Sequence, residues 1–276
     1  MQDFKLGLCQ LQVTASKEEN LARAFRQLRL TAARGAKIAV LPEMFTCPYN
    51  QSYFTTFAED MNGSTMKMLA AAAQELNIFI IGGSFPLAES GRLYNYSPVF
   101  NPAGILIANH RKIHLFDIDL PEIRFMESET MAPGHEITVF TTPWATFGLG
   151  ICYDIRFPEL ARLMVDAGAE VLVYPAAFGL VTGRLHWDLT LRARAVDNQV
   201  YTVGVGPAPN QDLPYISYGH SLVCDPMGRP IKKLGSKPST SVIQLSSKAV
   251  SDARANQPLL KHRRHDLYRL ISPKIE

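Results

Sequence analysis

The chain has 276 residues, 47% of them hydrophobic and 19% charged, with a formal net charge of +3 at neutral pH. That is enough apolar material for a large globular core, and the charge excess is too small to suggest nucleic acid or an anionic membrane as partner. The four cysteines, Cys9, Cys47, Cys152 and Cys224, show no CxxC pair and no metal-ligand spacing, which points to free thiols in a cytoplasmic setting and to no metal or organic cofactor.

Residues 5–13 alternate apolar and polar side chains, so the start reads as a strand and not as a signal peptide. Ser16, with Glu19 three residues on, predicts a helix start; its apolar stripe is Leu21, Ala24, Phe25, Leu28 and Ala32, and Arg34-Gly35 ends it. Residues 38–41 form a short buried strand that delivers Glu43. A carboxylate just past a buried strand is costly without a partner or a task, although a surface glutamate at a strand end shows the same pattern. Residues 47–53 read as a loop, 63–76 as a helix and 78–81 as a strand. Residues 93–100 and 105–108 flank Asn101-Pro102-Ala103-Gly104 and predict a hairpin, after which comes NHRKIHLFDID at 109–119.

Residues 137–140 and 145–151 are strands around Pro143, and the second runs into GLGICYDIRFPEL at 148–160. That stretch reads as strand, sharp turn and helix, with Pro158 at the helix start. A thiol at such a junction has backbone N–H groups near it that can hold an oxyanion, while a small buried cysteine closing a core strand has the same local signature. Then follow a strand at 170–174, a helix at 186–198, a strand at 200–205, a hairpin of 221–224 with 230–234, and a strand at 242–245. The polar, basic tail 251–276, with KHRRHD, reads either as packing at a subunit interface or as a disordered end. No uncharged apolar run approaches the ~20 residues of a membrane span. Alternating strands and helices interrupted by hairpins predict mixed sheets with helices outside, in one domain over 1–276.

Glu43, Lys112 and Cys152 each lie at or near the end of an apolar run, and such strand ends converge on one crevice in layered α/β proteins. Together they make coherent chemistry. Lys112 would depress the thiol pKa and donate to an oxyanion, and Glu43 would take the thiol proton and pass one to a leaving amine, through a thioester. His114, two residues from Lys112, offers a Cys–His dyad as the alternative. His135, His186 and His220 are also available, the last two in positions suited to structural hydrogen bonds.

VLPEMF around Glu43, HRKIHLFD around Lys112 and GLGICYDIRFPEL around Cys152 resemble, in the same order, the three signature segments of the nitrilase, or carbon–nitrogen hydrolase, superfamily. The resemblance spans residues 4–268. LPEMFTCPYNQSYF, IGGSFP, KIHLFDIDLP, GRLHW and RARAVDNQVY are most similar to its omega-amidase branch. The resemblance implies a four-layer αββα sandwich of mixed β-sheets and homodimers that pair into a longer stack. It implies Glu43 as base, Lys112 as oxyanion donor, Cys152 as nucleophile and the backbone N–H of Tyr153 as second oxyanion donor. A second glutamate falls in FMESE, at Glu127 with Glu129 as the competing choice. Omega-amidases hydrolyse the terminal amide of alpha-keto-glutaramate and alpha-keto-succinamate. Arg156 would grip the alpha-carboxylate, the structural alternative being a salt bridge to Asp154 or Glu159. Phe178 and Thr182 would line the pocket and Tyr49 would act as a lid. CYDIRFPEL and YPAAFGLVTG also resemble the branch that hydrolyses deaminated glutathione, and Arg184 stands where many relatives carry Pro.

Overall fold

The computed structural model describes residues 1–121 and 123–271. The first sheet contains β1 (Phe4–Gln10), β2 (Ile38–Val40), β3 (Phe79–Ile81), β4 (Phe85–Glu89), β5 (Arg92–Phe100), β6 (Leu106–Arg111) and the last strand, β15 (Ser239–Leu245). Its order is β15-β1-β2-β3-β5-β4, with β6 also paired to β5. A separate hairpin pairs β7 (Asp117–Leu120) with β8 (Ile123–Met126). The second sheet holds β9 (Thr138–Thr141), β10 (Thr146–Leu149), β11 (Val171–Pro175), β12 (Tyr201–Val205), β13 (Leu222–Cys224) and β14 (Pro230–Lys233), in the order β14-β13-β12-β11-β10-β9. Each sheet is mixed: β1-β2-β3 and β10-β11-β12 are parallel and their flanking pairs antiparallel.

Strand periodicity sorts the side chains into layers. On β2, Ile38 and Val40 face the second sheet, meeting Phe147, Leu149, Val171 and Val173 in one dry interior. Ala39 faces the other way, toward α1 (Lys17–Ala33) and α3 (Ser64–Leu76), whose Ala24, Leu28, Leu69 and Ala73 cover that sheet. On β11, Leu172 and Tyr174 face α4 (Pro158–Asp166) and α6 (Asp188–Asn198) through Met164, Leu191 and Ala195. The result is the expected αββα stack.

Local signals account for the element ends. Ser16 accepts the Glu19 N–H at the start of α1, and Gly35, at φ +85, lies just past its end. Residues 47–53, read as a loop, instead run into α2 (Gln51–Phe57), capped where Asn50 accepts the Ser52 N–H and anchored by buried Phe54. The tail is not free from its start. Its first residues belong to α7 (Ser247–Asn256), which buries Val250 and Ala253, and Arg263 pairs with Asp166 of α4. Residues 272–276 of the tail lie outside the described residues. Among the described residues, no helix is long and apolar enough to cross a membrane.

The topology gathers loops at one edge. The extensions of β1 and β12 are bridged in parallel at Gln12 and Ala208. The C-terminal ends of β2, β10 and β11 therefore open on a common side. β6, antiparallel to β5 as β5 is to β3, ends there too. Glu43 follows β2, Lys112 follows β6, Cys152 follows β10 and Ala177 follows β11. The first two come from one sheet and the last two from the other.

Candidate active site

Lys112 lies at the middle of the cluster, fully buried. Its Nζ donates to Glu127 Oε2 at 2.7 Å, Glu43 Oε1 at 3.0 Å and the Tyr49 hydroxyl at 3.2 Å. Asn95 ties the two carboxylates together, its Nδ2 lying 2.9 Å from Glu43 Oε1 and 3.0 Å from Glu127 Oε1. The Ala177 N–H donates to Glu43 Oε2 at 2.7 Å, and the Cys152 thiol lies close enough to the same carboxyl for each to shift the other's protonation. Glu127 also accepts the Phe116 N–H at 2.8 Å. Glu129, the competing choice, is exposed and pairs with Arg124.

The chain turns sharply at Cys152. Its φ is +46, in the left-handed region that costs a residue with a Cβ about 1–2 kcal/mol. A reciprocal pair of bonds closes the turn: Ile151 N–H donates to Asp154 Oδ2 at 2.9 Å, and Asp154 N–H to Ile151 O at 3.0 Å. Pro158 then occupies the first turn of α4, where its missing N–H is not needed.

Burial pushes the Glu43 carboxyl up; Lys112 opposes the shift and the charge on Glu127 adds to it, leaving the group above the usual carboxylate range. Burial would discharge Lys112, but Glu127 and Glu43 override it and hold the ammonium well above its ordinary pKa. Cys152 is raised by burial and by the Glu43 charge, and Lys112 only partly offsets this. Lys112 pulls the thiol pKa down, as its charge predicts, but burial and the Glu43 charge outweigh that pull. At rest the site holds a neutral thiol beside a carboxylate of raised basicity, an arrangement suited to proton transfer during attack. Burial lifts Cys9 and Cys47 to about 12 and Cys224 to about 11, so those thiols are inert.

Cys152 opens on a pocket of about 250 Å³ whose walls include Tyr49, Tyr153, Arg156, Phe178, Thr182 and Tyr215. The Arg156 guanidinium lies 5.0 Å from the Phe178 ring centre and 5.7 Å from that of Tyr153. Its Nη1 is 3.2 Å from His186 Nδ1. Among the described residues it makes no ion pair, and neither Asp154 nor Glu159 takes it. Asp154 is engaged by His110 and His114. This bond, with the stacking of His114 on Phe157 at 3.6 Å, removes the Cys–His dyad. His135 lines a separate groove with Arg111 and Tyr94, the His220 carbonyl accepts the Trp187 indole N–H, and Arg184 is exposed. Tyr49 is a buried wall bonded to Glu127 at 3.3 Å, not a lid. Asn95, Tyr215 and the Ala177 N–H escaped the sequence reading. Only Asn95 left a trace, as an amide inside the strand LYNYSPVF.

Residues 5–255 match the model of the carbon–nitrogen hydrolase family. The chain belongs to the carbon–nitrogen hydrolase family. Among curated members it is 46% identical to the omega-amidase NIT2 of Mus musculus over 275 residues, covering 99% of this chain and all of that one. It is 44% identical to the omega-amidase NIT2 of Homo sapiens over 269 residues, 97% of this chain and 98% of that. The solved structure of Saccharomyces cerevisiae Nit3, a member of branch 10 of the nitrilase superfamily, superposes with a TM-score of 0.88 at 38% identity, covering 95% and 97% of the two chains. This carbon–nitrogen hydrolase thus shares both its layers and its length with the family.

Proposed function

We propose that the chain is an omega-amidase that hydrolyses the terminal amide of alpha-keto-glutaramate and alpha-keto-succinamate to the dicarboxylic keto acid and ammonia. The observation that carries the reading is that Cys152 shares one small pocket with the Arg156 guanidinium, which among the described residues has no carboxylate partner. A thiol supplies the nucleophile for an amide carbon, and a planar guanidinium suits the carboxylate at the other end of the substrate. The likeness to omega-amidases over nearly the whole chain supports the same conclusion.

In the proposed cycle the Cys152 thiol gives its proton to Glu43 as sulfur attacks the amide carbon. Lys112 and the Tyr153 N–H stabilise the oxyanion. Glu43 returns the proton to the leaving nitrogen, and ammonia departs from the thioester. Glu43 then takes a proton from water, which attacks the thioester; the acid leaves and Cys152 regains its proton. Glu127 holds Lys112 in place, and Phe178, Thr182 and Tyr49 shape the pocket.

We propose further that the chain forms one domain acting as a cytoplasmic homodimer or larger homo-oligomer. All four cysteines are free and buried, which suits a reducing compartment. Val181, Leu185 and Leu189 form an exposed stripe that a second copy would cover. The experiment is ammonia release from the two keto-amides by the purified chain and by Cys152→Ala. The variant should fold and release none. Retained release would overturn the reading, and a higher kcat/KM on deaminated glutathione would move the chain to that branch.

A further inference from the structure

Asp154 is a buried carboxylate that touches neither the pocket nor the thiol, yet all its accepting positions are filled. Oδ2 accepts from Ile151 N at 2.9 Å and from His110 Nε2 at 3.0 Å. Oδ1 accepts from His114 N at 2.9 Å and from His114 Nδ1 at 2.8 Å. Burial alone would raise its pKa, but these bonds hold it well below the usual carboxylate range, so it is charged. His110 is held on its other side as well, its Nδ1 lying 3.0 Å from Thr138 Oγ1.

The placement of these bonds carries the inference. His110 and His114 bracket Lys112 in sequence, and Ile151 precedes Cys152. One carboxylate thus fastens the segment that carries the ammonium to the turn that carries the thiol, although the two arrive from different sheets. It also closes the turn in which Cys152 holds its left-handed φ. We propose that Asp154 is a positioning residue that sets Lys112 and Cys152 relative to each other through His110, His114 and Ile151. This rests on the catalytic roles given above for Lys112 and Cys152. In Asp154→Asn an amide NH₂ must face one of the two pairs of donors, loosening either the Lys112 side or the elbow.

The test is single-turnover ammonia release from alpha-keto-glutaramate with enzyme in excess, corrected for the folded fraction by near-UV circular dichroism, together with steady-state KM. Asp154→Asn should slow release per folded chain about 100-fold while KM stays within about threefold. His114→Ala removes one tether on the Lys112 side at a partly exposed position, and should slow it about tenfold. If Asp154→Asn does not fold, His114→Ala decides by the same criterion. The proposal is overturned if both rates per folded chain stay within about twofold of wild type, if the folded fraction accounts for the loss, or if KM rises while the rate is kept. The proposed function fails on the wild-type chain, by absence of ammonia release, and the positioning role fails on the variants, so the two failures are distinct.

Discussion

Glu127→Gln tests the charge arrangement most sharply. The substitution keeps the shape and removes one negative charge. Three donors converge on Oε2, from Lys112, Phe116 and Tyr49, so the amide oxygen must stay there and the NH₂ must face Asn95 Nδ2, donor against donor. Losing one charge-assisted bond and stranding a buried donor should cost about 2–4 kcal/mol of stability. Lys112 keeps only Glu43 as counter-ion and is drawn toward it, and a displaced oxyanion donor should lower kcat about 100-fold. The pH profile gives the decisive sign. Glu43 Oε1 and Glu127 Oε1 lie 2.9 and 3.0 Å from the same Asn95 nitrogen; the two oxygens are therefore separated by at most about 6 Å, where two like charges at an effective dielectric near 20 repel by about 3 kcal/mol, or about two pH units. Part of this relaxes away. Glu43 must be ionised to accept the thiol proton, and the Glu127 charge raises its pKa. Removing that charge should move the acid limb of kcat/KM down by about one to two pH units. Ammonia release followed over about pH 4 to 9 reads the limb. An acid limb that stays in place or moves upward, at measurable turnover, would refute the argument.

Arg156→Ala should lower kcat/KM for alpha-keto-glutaramate by about 100–1,000-fold, the loss of a charge-assisted bidentate contact, while a short uncharged amide loses less than about tenfold; equal losses on both substrates would make Arg156 structural. Asp154 has a depressed pKa in the fold, so its stabilising contribution is present above the unfolded carboxyl pKa of about 3.9 and is lost as pH falls through the folded value. Urea unfolding of wild type should therefore weaken below about pH 4, with a flatter slope in Asp154→Asn; matching slopes would count against the charged state assigned to it. A Cβ at Gly204 would sit 2.5 Å from the Trp187 ring and 2.6 Å from Leu191 Cδ1. Gly204→Ala should destabilise by about 1–3 kcal/mol through overpacking under α6, read as a lower Tm.

Much of this molecule was legible because its strands are short and end abruptly. Glu43 and Cys152 each follow a run of buried apolar residues, so the break in pattern marks the site, whereas Lys112 follows the polar Asn109-His110-Arg111 on a half-exposed strand and was legible through the HRKIHLFD segment. The caps of α1 were readable at Ser16 and Gly35 for the same local reason. What escaped depends on distant partners. Asn95 acquires its task only from Glu43 and Glu127, 52 and 32 residues away. Glu127 and Glu129 lie in the same short turn, and only the turn's facing decides that one is buried and the other exposed. Tyr215 sits in a loop without periodicity. α2 and α7 were missed because each buries one or two side chains, too few to leave an amphipathic stripe. The net rise of the thiol pKa has no trace in the sequence, which shows the charge of Lys112 but not the depth at which the thiol lies.

The reacting groups straddle the seam between the two sheets, and the 2.7 Å bond from Ala177 N–H to Glu43 crosses it. The interface beneath is aliphatic and aromatic and interdigitated, so one sheet cannot move past the other without losing packing. Further bonds cross the same seam, from the Ala208 N–H to the Leu11 carbonyl and from His114 to Asp154. A shift of a single strand residue, about 3.3 Å, would break all of these and carry Glu43 out of reach of Cys152. On warming, turnover should therefore be lost in the same transition as the packing between the sheets.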